Sequence, residues 1–368
     1  MVSAISSISV LLCAVPAAPA AHAVERPAPI LPPLDPGQVV LLGPVAGTGT
    51  QTRDHGIGAT DLCEFLTFPA AILQVCGDSF VGEGVGYGNW YSPIALRVDP
   101  DSINDPAGVR YLGVTGVDAP LLADPAPAGT SQLPAGAVRI GSDNYLLVTT
   151  TRDLVPLSSR LVKAEVGHGD WQTVPGSDRP ADFAGGLQSQ LSGYYDPVPT
   201  PDSPTGWVYI VTNNFDRSGP VLLYRTPPER FTDRAGWQGW ADGRGWGHPP
   251  TPLWPDRVGE LSIRQIDGMT VLSYFNATTG NMEIRVAAHP TGLGAAPVTT
   301  VVYGAPWPEP ADALPAPHDN RLAQPYGGYI SPGSTLDEVR VFVSQWNTGP
   351  RGGSPYRVLQ YAVNPVKP

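Results

Sequence analysis

After its first two dozen residues, the chain contains no stretch of about 11 residues with helical apolar spacing. Short apolar runs recur instead, in clusters of two to four, roughly every 55–75 residues. They include VVLLGPV (39–45), SPIALRV (92–98), AVRIGSDNYLLVTTT (137–151), GWVYIVTNNF (206–215) with GPVLLYRT (219–226), and GELSIRQIDGMTVLSYFNATTGNMEIRVAA (259–288). The last has an Asp-Gly turn at 267–268 and a second turn near Thr279–Gly280, which is hairpin chemistry. DEVRVFVSQWN and SPYRVLQYAV close the chain in the same way. Residues 46–58, 99–136, 152–205 and 289–326 read mostly as loop or irregular chain. Such a chain folds as all-β. Repetition of the strand clusters predicts a five-bladed β-propeller with long loops, a two-sheet sandwich being the alternative.

Glycine (42) and proline (43) fall in the loops between these runs and do not dilute the strands, so the chain can still build a large core. Its formal net charge of −11 repels a phosphate backbone and argues against a nucleic-acid partner. Three segments follow along the chain. Residues 1–23 read as a signal peptide, with an apolar run and small residues before a cleavage point after Ala23. That processing would also remove Cys13. Residues 24–36 are a Pro-rich lead-in, and residues 37–368 a single domain. No later segment has 18 consecutive apolar residues, so a secreted or wall-associated protein is expected.

One stretch, residues 56–92, concentrates the candidate chemistry. ATDLCEFLTF and AAILQVCGDSF form a hairpin turning at Pro69, with Asp61 and Asp78 at one edge and Cys63 and Cys76 two residues inside them. Two cysteines left in a secreted chain, opposite one another, suit a disulfide; two buried thiols in adjacent strands are the other reading. Two facing carboxylates suit glycoside hydrolysis, where one protonates the leaving oxygen and the other attacks or activates water. The alternative is turn and capping chemistry.

Aromatic residues offer flat apolar faces to sugar rings or fill gaps between sheets: Tyr87, Trp90 and Tyr91 after the second aspartate, Trp237, Trp240, Trp246 and Trp254 in the Gly-rich loop, and Tyr326, Tyr329 and Trp346 near the end. Surface exposure is expected for the 236–254 group. His55 is positioned to meet a sugar hydroxyl or the backbone. His168 and Asp170 lie close in sequence, without a nucleophile elbow that would make a triad. No metal-ligand pattern and no cofactor motif is present; the Gly-rich loop at 46–58 lacks the Gly-Lys-Ser/Thr of a phosphate loop. Asn276-Ala-Thr is formally a glycosylation acceptor.

GIGATDL followed by ILQVCGDSF resembles the paired G-T-D-L and F-G-D-T-F signatures of domain-of-unknown-function family 4185. GELSIRQIDGMTVLSYFNATTGNMEIRVA, YGGYISPGS and VFVSQWN are similar to later segments of that family, so the resemblance spans approximately residues 37–364. It differs in the two cysteines, in Ala59 where glycine is usual, and in Ser79 where threonine is usual. The resemblance implies a five-bladed propeller and a relation to the endo-D-arabinofuranases of glycoside hydrolase family 183. These cut the D-arabinan of mycobacterial arabinogalactan and lipoarabinomannan with retention. By resemblance Asp61 and Asp78 are the catalytic pair, with Asp78 favoured as nucleophile. His55, Tyr87, Trp90, Tyr91, Trp240, Trp246, Tyr329 and Trp346 are the candidate substrate contacts. A noncatalytic propeller that binds wall glycan or protein is the rival reading.

Overall fold

The computed structural model describes residues 31–167, 169–307, 313–349 and 352–368. The segment read as a signal peptide, most of the lead-in and His168 lie outside the described residues. Within them the chain is all-β, with only short 3-10 turns and no α-helix.

The strand clusters become five meanders, each built on four antiparallel strands; the fourth runs on into Gly245–Trp246, and the fifth adds Arg321–Ala323 in a parallel pairing. The first joins early and late segments of the described residues: Val39–Gly47 pairs with Tyr356–Val363, followed by Val339–Trp346 and Pro325–Ile330. The second runs Glu64–Phe68, Ala71–Cys76, Ile94–Val98, Tyr111–Thr115. The third starts at Ser131–Ile140 and the fourth at Gln190–Asp196; a short parallel pairing of these two strands joins them into one ten-stranded sheet. The fifth starts at Val258–Ile266.

The strands Glu64–Phe68, Ser131–Ile140, Gln190–Asp196, Val258–Ile266 and Pro325–Ile330 contact one another in succession, and the last contacts the first. Serine hydroxyls stitch neighbouring members of this ring: Ser192 Oγ accepts the Ile263 amide at 3.0 Å, and Ser262 Oγ the Ile330 amide at 3.1 Å. Each hydroxyl satisfies an amide on the strand ahead of it, as a buried backbone donor requires. Across the ring the buried Glu64 binds Arg264, with Arg264 Nη2 donating at 2.5 Å.

Between the meanders lie layers of Val, Ile and Leu. One contains Val39, Ile284, Val301, Val341 and Val363; another Leu66, Val75, Leu146 and Val162. Crowding at the ring fixes two glycines. A Cβ on Gly136, at φ +111°, would sit 1.5 Å from the Leu191 carbonyl oxygen. One on Gly193 would sit 2.7 Å from that of Tyr209.

Residues 152–205 are more regular than their sequence suggests: Val155–Ala164 and Gln190–Asp196 are strands. The latter, QLSGYYD, mixes strand-favouring Tyr194 and Tyr195 with glycine and aspartate, which are depleted in strands, and is packed into the ring. The expected loops 99–136 and 289–326 likewise contain Tyr111–Thr115, Ser131–Ile140, Val298–Ala305 and Arg321–Ala323.

Candidate active site

The 56–92 stretch forms one ribbon. Ala59–Thr60 pairs with Ser79–Phe80, and Glu64–Phe68 with Ala71–Cys76, in a common register. Continued across the gap between the two ladders, that register sets Asp61 opposite Asp78 and Cys63 opposite Cys76. The cysteines are joined in a disulfide, which excludes the free-thiol reading. The ladder is interrupted because Leu62 and Cys63 adopt left-handed backbone conformations, φ +60° and +68°. The Leu62 amide, turned out of the ribbon, donates to Ser344 Oγ at 2.9 Å.

Both carboxylates line a cavity of about 740 Å³ at one end of the five-strand ring. Asp61 is buried. Its Oδ2 accepts the Tyr326 hydroxyl at 2.9 Å, and the Tyr356 hydroxyl is near enough to favour the anion. Its Oδ1 is buried without a hydrogen-bond partner. A Cβ on Gly77 would lie 2.6 Å from Oδ1, so the glycine before Asp78 makes room for Asp61. Burial, first, and then the nearby Asp78 charge raise the Asp61 pKa to about 8, above what the two tyrosines offset. Asp78 is partly exposed, and Trp90 Nε1 donates to its Oδ1 at 2.8 Å. Burial raises its pKa as well, opposed by hydrogen bonds from Trp90 and Ser92. Thus one carboxyl is held protonated near neutrality beside another that two donors favour as the anion.

The same cavity holds residues that the sequence reading did not single out. Glu260, on the first strand of the fifth meander, accepts Arg217 Nη2 at 2.6 Å and the Gly327 amide at 3.3 Å. Arg217 lies over the Phe275 and Tyr326 rings, with centroids 5.2 and 5.1 Å away. The available signal was the Gly-Glu opening the clearest strand run, but an isolated glutamate at a strand start has no pairing partner visible in sequence. Backbone strain also gathers here. The described residues include nine non-glycine positions with positive φ, and five of them, Leu62, Asp153, Leu154, Arg217 and Gln324, line this cavity. Such strain concentrates at functional sites because the surrounding fold must hold it.

Other candidates are divided by the fold. Trp346 lines the cavity. Trp90 reaches it through Asp78, Tyr91 pairs with Ser79 on the adjoining strand, and Tyr87 is exposed on the intervening loop. Tyr329 is buried beneath, packed with Tyr326 and Tyr356, and does not face the cavity lining. His55 Nε2 bonds the Tyr111 carbonyl oxygen at 3.0 Å, the backbone alternative. Trp240 and Trp246 are not at this cavity. They pair across a short ribbon of the fourth meander and pack on its core, with Arg225 held between Trp207 and Trp246. The exposure expected for Trp237 and Trp254 is also corrected: both are buried, because the Gly-rich segment folds back as strand and fills the space beside the sheet. Asp170 takes a left-handed backbone conformation, and its expected partner His168 is outside the described residues. Among the described residues, no group of three or more His, Cys, Asp and Glu could hold a metal ion, and no helix is long and apolar enough to cross a membrane.

The sequence profile named "Domain of unknown function (DUF4185)" matches residues 46–362. A protein of Mycolicibacterium smegmatis, described as an uncharacterized 35.9 kDa protein in the asd 3′ region, is 71% identical over 331 residues, covering 90% of this chain and 99% of that one. Among solved structures, a putative hydrolase from Bacteroides ovatus superposes with a TM-score of 0.55 at 15% identity, covering 84% of this chain and 87% of that one. The α-L-arabinofuranosidase PaAbf62A from Podospora anserina gives 0.49 at 11%, covering 90% and 99%.

Proposed function

The chain belongs to the DUF4185 family, and on that premise we propose that it is a secreted, five-bladed propeller glycoside hydrolase that cleaves D-arabinan internally, with retention. The substrate is the arabinan of mycobacterial or actinobacterial arabinogalactan or lipoarabinomannan. The blade count is supported by the five meanders and the ring of their first strands. The wall substrate is supported by the resemblance of the Asp61 and Asp78 motifs and by the mycobacterial relative. Secretion rests on the signal-like first 23 residues. The observation that carries the reading is the unlike carboxyl pair: Asp61 raised to about 8 beside Asp78, in one strained cavity.

In this mechanism the Asp78 carboxylate attacks the anomeric carbon as the bond to the leaving sugar oxygen breaks. Asp61 gives its proton to that oxygen. Water then gives a proton to Asp61, attacks the same carbon and frees Asp78. Two displacements restore the starting configuration. Trp90 holds Asp78 in place, and the Arg217–Glu260 pair fixes charge across the cavity.

The test is chromatography of products released from purified D-arabinan by the wild type and by the Asp61→Asn and Asp78→Asn variants. Oligosaccharides from the wild type, and losses of at least about 10³-fold in each variant, are expected. Binding without release by the wild type would instead leave a glycan-binding module. Full activity in both variants would remove the pair from the mechanism.

A further inference from the structure

The third meander sends a hairpin to the edge of the cavity. Its strands Asp143–Arg152 and Val155–Ala164 are joined by two residues, Asp153 and Leu154, with Arg152 opposite Val155. Both loop residues have positive φ, +52° and +64°. That conformation is ordinarily met by Asn-Gly or Asp-Gly, since Asn and Asp tolerate it and glycine adopts it without strain. Here the second position is leucine. It gains no core contact in return: Leu154 is 53% exposed and the following Val155 61%. Both line the cavity that holds Asp61 and Asp78. A strained and exposed apolar side chain at such a place is unexplained by folding, because Asp-Gly would make the same turn more easily.

We propose that Leu154 and Val155 form a sugar-binding lip, which packs on the C–H face of a glycan residue beyond the two sugars joined by the cleaved linkage and so sets preference for longer chains. The proposal rests on the glycosidase reading above. The cavity on whose rim the lip stands supplies the polar and charged groups: Asp61, Asp78, Asp216, Arg217 and Glu260. The lip carries to the rim the apolar surface that Phe215, Phe275 and Trp346 provide inside the cavity, a surface that gains from removal of water by the sugar's C–H groups. Leu154 is a specificity residue, because it is placed to touch substrate away from the reacting atoms.

The experiment compares wild type, Leu154→Gly and Leu154→Met on D-arabinan and on the shortest oligosaccharide the enzyme cleaves, with thermal unfolding measured alongside. Leu154→Gly relieves the turn and should leave the unfolding midpoint unchanged or raise it by about 1–3 °C. It should raise KM for the polymer about fivefold, with kcat within twofold and the short substrate unaffected. Leu154→Met keeps an apolar lip and should restore most of the affinity. Lowered thermal stability with unchanged polymer KM in Leu154→Gly would make Leu154 a structural residue and overturn the proposal. If the wild type neither cleaves nor binds arabinan, the glycosidase reading fails and the lip with it; cleavage with an unchanged polymer KM sinks the lip alone.

Discussion

Replacing Asp61 with asparagine isolates the energetic cost of the buried carboxyl. Asparagine is nearly isosteric, and its oxygen can still accept the Tyr326 hydroxyl that Oδ2 accepts at 2.9 Å. In the folded wild type Asp61 keeps its proton up to a pKa of about 8, whereas the unfolded chain releases it near 3.8. A raised folded pKa means that the folded state binds the extra proton. The Asp61 contribution to stability is therefore fullest below pH 4 and falls as pH climbs toward 8. At about 1.36 kcal/mol per pH unit the full window is worth roughly 5–6 kcal/mol. Water penetration and side-chain relaxation reduce this, and about 2–3 kcal/mol is expected between pH 5 and pH 8. Asparagine does not titrate. Asp78 and Glu64, whose pKa values burial also raises, are present in both proteins and largely cancel in the difference. Urea unfolding of both proteins at half-unit pH steps, with the disulfide kept oxidised, measures it. The variant should gain on the wild type steadily as pH rises. A difference that stays flat from pH 5 to pH 8 would refute a buried, protonated Asp61.

Other outcomes follow from the same contacts. Trp90→Phe removes a donor that favours the Asp78 anion and should move the acid limb of kcat/KM to higher pH. Tyr326→Phe removes one that favours the Asp61 anion and should move the alkaline limb higher, both read from pH–rate profiles. A Cys63→Ala/Cys76→Ala double variant opens a loop of 13-residue separation and should lose about 3 kcal/mol in denaturant unfolding. Gly136→Ala forces a Cβ to 1.5 Å from the Leu191 carbonyl oxygen at a positive φ and should lose more than about 4 kcal/mol, seen as loss of soluble, folded protein by circular dichroism.

Much of this was readable in the chain, for reasons that differ between residues. The 259–288 run has clear turns and apolar strands, and all three of its strands form. The Asp61–Asp78 juxtaposition was legible because both residues lie on one hairpin, so register alone sets them opposite. Glu260 and Arg217 were not, and Tyr326 was visible only as an aromatic and not as a partner of Asp61, because these residues come from separate meanders and meet only when the ring of first strands forms. Trp240 and Trp246 show the opposite failure. Tryptophan among glycines resembles an exposed sugar platform, but here the glycines let the chain turn back, so that the indoles pack together with ring centroids 5.2 Å apart. The strand Gln190–Asp196 escaped notice because Ser192, Gly193 and Asp196 break up its apolar pattern within a long irregular segment.

The division of labour between the two carboxyls can be read from a covalent intermediate. The protein would be incubated with an activated 2-deoxy-2-fluoro-D-arabinofuranoside, a probe that slows release of the glycosyl-enzyme, and then digested for peptide mass mapping. One glycosyl adduct on the peptide carrying Asp78, located to that side chain and absent from Asp78→Asn, is the predicted result. An adduct on Asp61, or turnover of natural arabinan with inversion and no adduct at either residue, would contradict Asp61 as the acid and Asp78 as the nucleophile.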